Sequence, residues 1–536
     1  MSTGVAGTES PRRLEGPVFW LALLLFVGLT AFLATHHEMW RDEVRAFSVA
    51  IRATSIPALF DALRVEGHPV LWYLVLAAGH SIFQSPLVLP IAAIVISTVA
   101  AAVVLRFAPF PLGVRLLIVF GAFMIVEETV MARNYGIGIL FLVAACAAFP
   151  ARVARPLPVA IFLALMANTS VHAALASLII GFVWLFDLSD REGRNTLLSP
   201  VGIAAFVIVA GGVWFAFWTA RPAADMSYAF SLGTMDPGRT VRAIFSDPGF
   251  GLAGYRGANV AAAAELPWER FGFHPDIGSR WLVNACMAAI AWGLWKHKRF
   301  LAAFIIATAG FQVVFRTIYT GGLRHEGVLF FLFVALGWLA IARGGFTRES
   351  IRRVSLGFLP LIAVQAAAMP FMARRVIQHP ESSSKAYAAA IAANPRYRDA
   401  ILASDPDYMM EALPYYVPNA VYMPRQREFH HRVYFSAQGR RQLDLSLTDL
   451  VGIADSVAAA KCRTVLLAIG YPSFADSASG EAPLGYKPAV FRWDPASKSA
   501  LLSRGAPVMT FRGALSDENY SVFEIRPEGG CDKPIG

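Results

Sequence analysis

The chain has 536 residues, 56% of them hydrophobic and only 16% charged, with a mean hydropathy of +0.52. Soluble domains carry about 25% charged residues, so a soluble globular protein is excluded and a polytopic membrane protein is expected. The formal net charge of +10 comes from Lys and Arg scattered over short loops, with no basic stripe interleaved with aromatics, which argues against nucleic acid and for cationic loops retained at one membrane face.

In chain order, Arg12 and Arg13 precede an apolar run, 17–34, that no small-residue cleavage site follows. This reads as a retained signal-anchor helix with a cytoplasmic N-terminus. The polar stretch HHEMWRDEVR (36–45) comes next. Further spans are expected over 86–105, 112–126, 136–150, 157–169, 171–186, 200–218, 280–295, 300–315, 326–342 and 355–372. With 17–35 these make about eleven transmembrane helices. The basic connections (Arg106/Arg115, Arg152/Arg155, DLSDREGRN, KHKR and ARGGFTRESIRR) then all fall on the cytoplasmic side, as the positive-inside rule requires. Val70–Phe83 is too short for a ~30 Å hydrocarbon core and would invert every later loop. It is expected to be a re-entrant or juxtamembrane helix within a first external loop, 36–85.

A second external loop is expected over 219–279, where Trp268, Phe271 and Phe273 suggest an amphipathic interface helix. Residues 1–372 would form the transmembrane domain. Residues 373–536 alternate strand-like runs (400–404, 464–470, 521–527) with helix-like ones (385–393, 450–461), the pattern of a small extracytoplasmic α/β domain. Cys146 and Cys286 fall in apolar runs and read as packing residues. Cys462 and Cys531 would be free to form a disulfide if their region is extracytoplasmic. No Walker or GxGxxG element sits between a strand and a helix, so an ATP-driven pump is not indicated.

Ionisable groups are costly near a bilayer, and under this topology many gather at the external face. Asp42 and Glu43 lie in the first loop and Glu127 and Glu128 at the next turn, with Arg133 and Tyr135 just after. His172 follows, and later Arg324 with His325 in the Gly-rich GGLRHEG turn. Carboxylates can activate a hydroxyl or hold Mg²⁺ or Mn²⁺; Arg and His can neutralise a phosphate leaving group. His36, His37 and Glu38 read as boundary polarity, because adjacent histidines do not share a helix face for zinc. Asp405-Pro406-Asp407 is only superficially like a nucleotide-sugar motif.

The WRDE of the first loop, the GHPVLWY stretch (67–73) and EETVMARNYGIGILF (127–141) resemble the GT-C superfamily of membrane glycosyltransferases. The bacterial protein O-mannosyltransferase-like (glycosyltransferase family 39-like) members are closest in pattern. The likeness covers about 17–185. It departs from the family at Val70, where a second Pro is common, and matches the Glu-x-x-Arg-x-Tyr element only loosely. It implies a GT-C fold in the bacterial inner (plasma) membrane and a polyprenyl-phosphate sugar donor. The acceptor would be an extracytoplasmic glycan, lipid or protein, and transfer would proceed with inversion. Asp42 would be the catalytic base and Glu43 its helper. Glu128 or Glu127 would be a second acid, binding metal with Asp42 or positioning the acceptor. Arg133, Tyr135, His68 and His172 would bind substrate. Arg324 and His325 join that set on topology alone, and Trp40 and Arg41 would shape the donor mouth. Two other classes compete: a secondary transporter or flippase, and a glycan polymerase or ligase with a lipid-diphosphate donor. Charges at one face and a large C-terminal domain weigh against the transporter.

Overall fold

A computed structural model of the chain describes residues 16–190, 193–221, 278–315, 322–433, 443–484 and 489–527, with 238 and 241 as isolated positions. Arg12, Arg13, Trp268, Phe271, Phe273 and Cys531 lie outside the described residues.

The N-terminal part is helical: α1 (Gly16–His36), α2 (Arg41–Arg52), α3 (Ile56–Leu63), α4 (Leu71–Phe83), α5 (Val88–Phe107), α6 (Leu112–Val119), a π-helical segment (Phe123–Val130), α7 (Tyr135–Ala148), α8 (Pro156–Ala167), α9 (Val171–Ser189), α10 (Arg194–Leu197), α11 (Pro200–Ala220), α12 (Gly278–Leu294), α13 (Lys298–Val313), α14 (Leu323–Arg343) and α15 (Arg348–Gln378). Six of these, α1, α5, α9, α11, α14 and α15, are long and apolar enough to cross a membrane. The others expected as spans are shorter helices, and the run expected over 112–126 is broken into α6 and the π-helical segment. Trp20 and Leu24 on α1 and Phe206 and Trp214 on α11 are exposed, as suits helices whose outer faces meet lipid rather than water. The loop expected over 36–85 folds as three helices. Of these, α4 has 13 residues, so its length of about 20 Å falls short of a ~30 Å core.

At one end of the bundle the charges are tightly paired. Arg152 Nε lies 2.6 Å from Asp187, and Arg343 Nε lies 2.7 Å from the same carboxylate. Arg299 reaches Asp190 at 2.6 Å and Arg343 reaches it at 3.2 Å. These bonds staple α9, α13, α14 and the loop after α7 together.

Among the described residues, all strands lie after α15. Helix α16 (Ser384–Ala393) precedes β1 (Ile401–Asp405), β2 (Val421–Met423) and β3 (Glu428–Phe429). Then come β4 (Asp444–Ser446), α17 (Leu447–Lys461), β5 (Val465–Ile469), α18 (Pro472–Asp476), β6 (Gly480–Pro483), β7 (Val490–Trp493), α19 (Pro495–Arg504), β8 (Met509–Phe511) and β9 (Tyr520–Ile525). A six-stranded sheet runs β3-β2-β1-β5-β9-β8 beside a three-stranded β4-β7-β6. β1 and β5 are parallel with Leu402 opposite Leu466, and both are buried along their whole length. A central parallel strand covered on both faces is expected to be apolar, as β5 is throughout; β1 is apolar over 401–403 and then buries Ser404 and Asp405, the latter paired with Arg425 at 2.6 Å. Cys462 is disulfide-bonded, whereas Cys146 and Cys286 are free and buried.

Candidate functional site at the other end of the bundle

The site is built on the start of α2. Trp40 precedes the helix in an extended conformation, and Glu43, three residues on, turns back so that its carboxylate accepts from the Trp40 N–H at 3.2 Å. This is the carboxylate half of a capping box, and it satisfies a donor that the first helical turn cannot. The same carboxylate accepts from the Ala132 N–H at 2.6 Å and from His37 Nε2 at 2.9 Å. Glu43 is buried and therefore clamps three segments: the end of α1, the start of α2 and the turn before α7. Burial alone would hold His37 neutral, but Glu43, with Glu381 and Glu38 further off, raises its pKa to about 9.

Asp42, one residue earlier, points into a different environment. Its Oδ1 faces Arg41 Nε at 3.4 Å, and its Oδ2 faces an Arg324 amino nitrogen at 3.2 Å. Its backbone carbonyl accepts a short hydrogen bond from Arg133. Burial would raise the Asp42 pKa, but Arg133, Arg324 and Arg41 outweigh it and hold the carboxyl well below the usual carboxylate range. His68 lies in the same field. Burial, then Arg133, lowers its pKa to about 3, so its ring is neutral. Its Nδ1 has no hydrogen-bond partner among the described residues. The indole of Trp40 has the Arg324 guanidinium 5.0 Å and the Arg41 guanidinium 5.6 Å from its centroid, and its N–H reaches Met131 Sδ at 3.3 Å.

Beneath this layer, aromatic rings converge from three helices. His172, at the start of α9, lies 4.7 Å from His325 of α14 between ring centroids, and Tyr135 of α7 lies 5.1 Å from His325. His325 Nδ1 accepts from the Gly322 N–H at 2.7 Å, fixing the first turn of α14, while His172 Nε2 is buried without a partner among the described residues. Ser170 caps α9 by accepting from the Ala173 N–H at 3.0 Å, and Asn134 Nδ2 donates to the Thr169 carbonyl at 2.7 Å, which joins the two turns.

The π-helical segment carries Glu127 and Glu128 to two places. Glu127 lines a cavity of about 250 Å³ whose polar wall is His37, Trp40, Arg324, Arg375 and Glu381 and whose apolar wall includes Val126, Leu323, Met372 and Val376. Glu128 is sealed against α14, and neither of its carboxylate oxygens has a partner among the described residues. A Cβ at Gly327 would collide with that carboxylate, and one at Gly136 would collide with the Glu128 carbonyl oxygen, so two glycines make the room it occupies.

No protein-family model matches the sequence, and neither does any curated protein. Among solved structures, the chain is similar to ArnT from Cupriavidus metallidurans bound to undecaprenyl phosphate. The two are 12% identical with a TM-score of 0.47, and the match covers 95% of this chain and 97% of that one.

Every residue expected at the site from sequence lies in this end of the bundle, but in distinct shells. Asp42, Arg133, Arg324 and His68 form one electrostatic group; Tyr135, His172 and His325 form a ring cluster; Glu127 faces the cavity; Glu43 and Glu128 are buried. The expected pairing of Asp42 with Glu128 around Mg²⁺ or Mn²⁺ does not fit. Among the described residues, no three His, Cys, Asp or Glu side chains converge as ligands, and the guanidinium groups around Asp42 would repel a dication. His37, taken from sequence as boundary polarity, is instead bonded to Glu43 and lines the cavity, and Glu38 accepts from the Glu381 N–H at 3.2 Å. Arg375 and Glu381 were not legible as site residues: one ends a long helix and the other sits in an ordinary loop, with no local motif to mark them.

Proposed function

We propose that the protein is an integral-membrane glycosyltransferase of the GT-C type. It would transfer a sugar from a polyprenyl-phosphate donor to an acceptor hydroxyl at the extracytoplasmic face. The observation that carries this reading is Asp42, held between Arg324 and Arg41 beside a cavity with one apolar and one charged wall. The basic end of the bundle, with its Arg152, Arg299 and Arg343 pairs, would face the cytoplasm, in keeping with the positive-inside rule, and the C-terminal α/β domain would be periplasmic.

In this reading the lipid tail lies along the apolar wall and the phosphate approaches Arg324 and Arg375. The acceptor oxygen attacks the anomeric carbon as its proton passes to Asp42. The bond from that carbon to the phosphate oxygen breaks, its electron pair leaves with the phosphate, and the configuration inverts. A carboxylate gripped by guanidinium groups is a weak base. As the phosphate binds it shares those guanidiniums, so Asp42 gains basicity once donor is present. His68, His172 and Tyr135 are suited to hydrogen-bond the sugar, and Glu127 to orient the acceptor. Glu43 positions Asp42 by fixing the helix start.

The test is transfer of radiolabelled sugar from purified polyprenyl-phosphate donors in lipid nanodiscs. We expect Asp42→Asn and Asp42→Ala to lower transfer by roughly 10²–10⁴-fold, the usual worth of a general base. Full activity in both variants would remove Asp42 from the chemistry. Substrate uptake into proteoliposomes without transfer would favour a transporter.

A further inference from the structure

The start of α2 is held from the far end of the chain. The Asp517 carboxylate grips the Arg41 guanidinium through both oxygens, at 3.1 Å and 2.9 Å. That guanidinium also lies 4.4 Å from the centroid of Tyr408, whose hydroxyl reaches Asp517 at 3.4 Å. The Arg41 backbone N–H, one of the donors a first helical turn leaves unmet, donates to Glu518 Oε1 at 3.0 Å. Glu518 is itself buried and accepts from the Ser382 hydroxyl. Around Asp42 the charged and titratable groups are Arg41, Arg133, Arg324 and His68. Arg41 is thus anchored by the α/β region.

We propose that the C-terminal α/β region supplies a positioning arm to the site: Asp517, backed by Tyr408 and Glu518, holds Arg41 against Asp42 and thereby sets the orientation and charge balance of that carboxylate. The physical ground is the cost of ordering an arginine. A free Arg side chain gives up much rotamer entropy when fixed. The 3.4 Å approach to Asp42 is too long to offset that alone. The two-oxygen grip of Asp517 supplies the planar, directional anchor that such a side chain needs. The α/β region is thus a component of the site and more than a neighbour docked on it. The importance of Asp42 rests on the proposed function; the mechanical coupling does not.

The experiment therefore reads Asp42 directly. The full-length protein in nanodiscs is treated with a water-soluble carbodiimide and glycine methyl ester at about pH 5, where protonated carboxyls react, and labelling of the Asp42 peptide is quantified by mass spectrometry. We expect Asp517→Asn to raise Asp42 labelling at least about threefold, Arg41→Ala to match it, and the double variant to add nothing further. Asp517→Glu, which keeps the charge, should restore most of the protection. Asp455→Asn, which breaks the exposed Arg504 pair elsewhere in the α/β region, should leave it unchanged. If Asp517→Asn folds poorly, Tyr408→Phe gives a smaller rise of the same sign. Wild-type labelling in Asp517→Asn, or effects of the two single changes that multiply, would overturn the proposal. In the transfer assay Asp517→Asn should lower kcat about fivefold with the donor KM unchanged. Coupled labelling without any transfer in the unaltered protein would sink the proposed function and leave the arm standing.

Discussion

The two ends of the helical bundle hold similar numbers of charges and use them differently. At one end Arg152, Arg299 and Arg343 meet Asp187 and Asp190, and the pairs knit four segments together. At the other, Arg41, Arg133 and Arg324 crowd Asp42, while Glu128, His68 and His172 are buried with polar atoms that no described residue satisfies. Buried polar atoms left without partners cost about 1–3 kcal/mol each, so a fold keeps them where something else will complete them. The first end is knit for cohesion; under the proposed function the second would receive a guest.

That contrast can be broken from either side. The largest effect on stability should come from Asp187→Asn, which strips the buried partner from three arginines, Arg152, Arg299 and Arg343. We expect a loss of about 3 kcal/mol, read as a lower midpoint in chemical or thermal unfolding, with transfer per folded molecule unchanged. Asp42→Asn should fall mainly on transfer, lowering it by roughly 10²–10⁴-fold. Next in size, Gly327→Ala drives a methyl group into the Glu128 carboxylate. It should cost about 1–3 kcal/mol and also reduce transfer, because α14 carries Arg324 and His325 into the site. Loss of stability with transfer intact would separate Glu128 from the site.

A smaller effect follows from His37. Its folded-state pKa, about 9, lies above the ordinary 6.5, so the ion pair with Glu43 stabilises fully below the unfolded value. That contribution is lost as pH rises through about 9. We expect the melting temperature to fall by a few degrees between about pH 7 and 10, and His37→Gln to flatten that slope. A slope that survives the substitution would assign it elsewhere. The smallest change is expected from Arg299→Gln. Its side chain is 31% exposed and Asp190 is 40% exposed, so the pair is worth below about 1 kcal/mol, and it should weaken further in high salt.

Much of the scaffold could be read from residues alone, and the reasons are local. The strand-like runs at 400–404, 464–470 and 521–527 fold as Ile401–Asp405, Val465–Ile469 and Tyr520–Ile525 of the C-terminal sheet; β5 is apolar and buried throughout, whereas β9 carries half-buried Ser521 and Glu524 between its buried apolar residues. Helices α16 and α17 likewise match runs rich in Ala that lack Gly and Pro breakers, apart from Gly452. Apolar length also revealed the long membrane helices. It failed at 112–126, where a break at Phe120–Ala122 and a π-helical turn take over, and hydropathy carries no signal for either. At the site, charge topology collected Asp42, Glu127, Arg133, His172 and Arg324 at one end. It could not sort them by depth. Glu43 and Asp42 are neighbours of the same chemistry, yet one is spent on three internal donors and the other faces arginines. That difference is set by Ala132, His37, Arg133 and Arg324, up to 282 residues away. The grip of Asp517 on Arg41 was equally invisible, since nothing near either residue marks it.

The bond from the Arg41 N–H to Glu518 spans 477 positions of chain. During synthesis the helices that carry Asp42, Arg133 and Arg324 emerge long before residues 517 and 518. A nascent protein already threaded into the bilayer would thus hold its substrate groups without their last brace. The brace would be complete only once the final stretch of the α/β region has folded back onto α2. A premature stop just upstream of Asp517 would leave a chain with every helix and an unfinished centre.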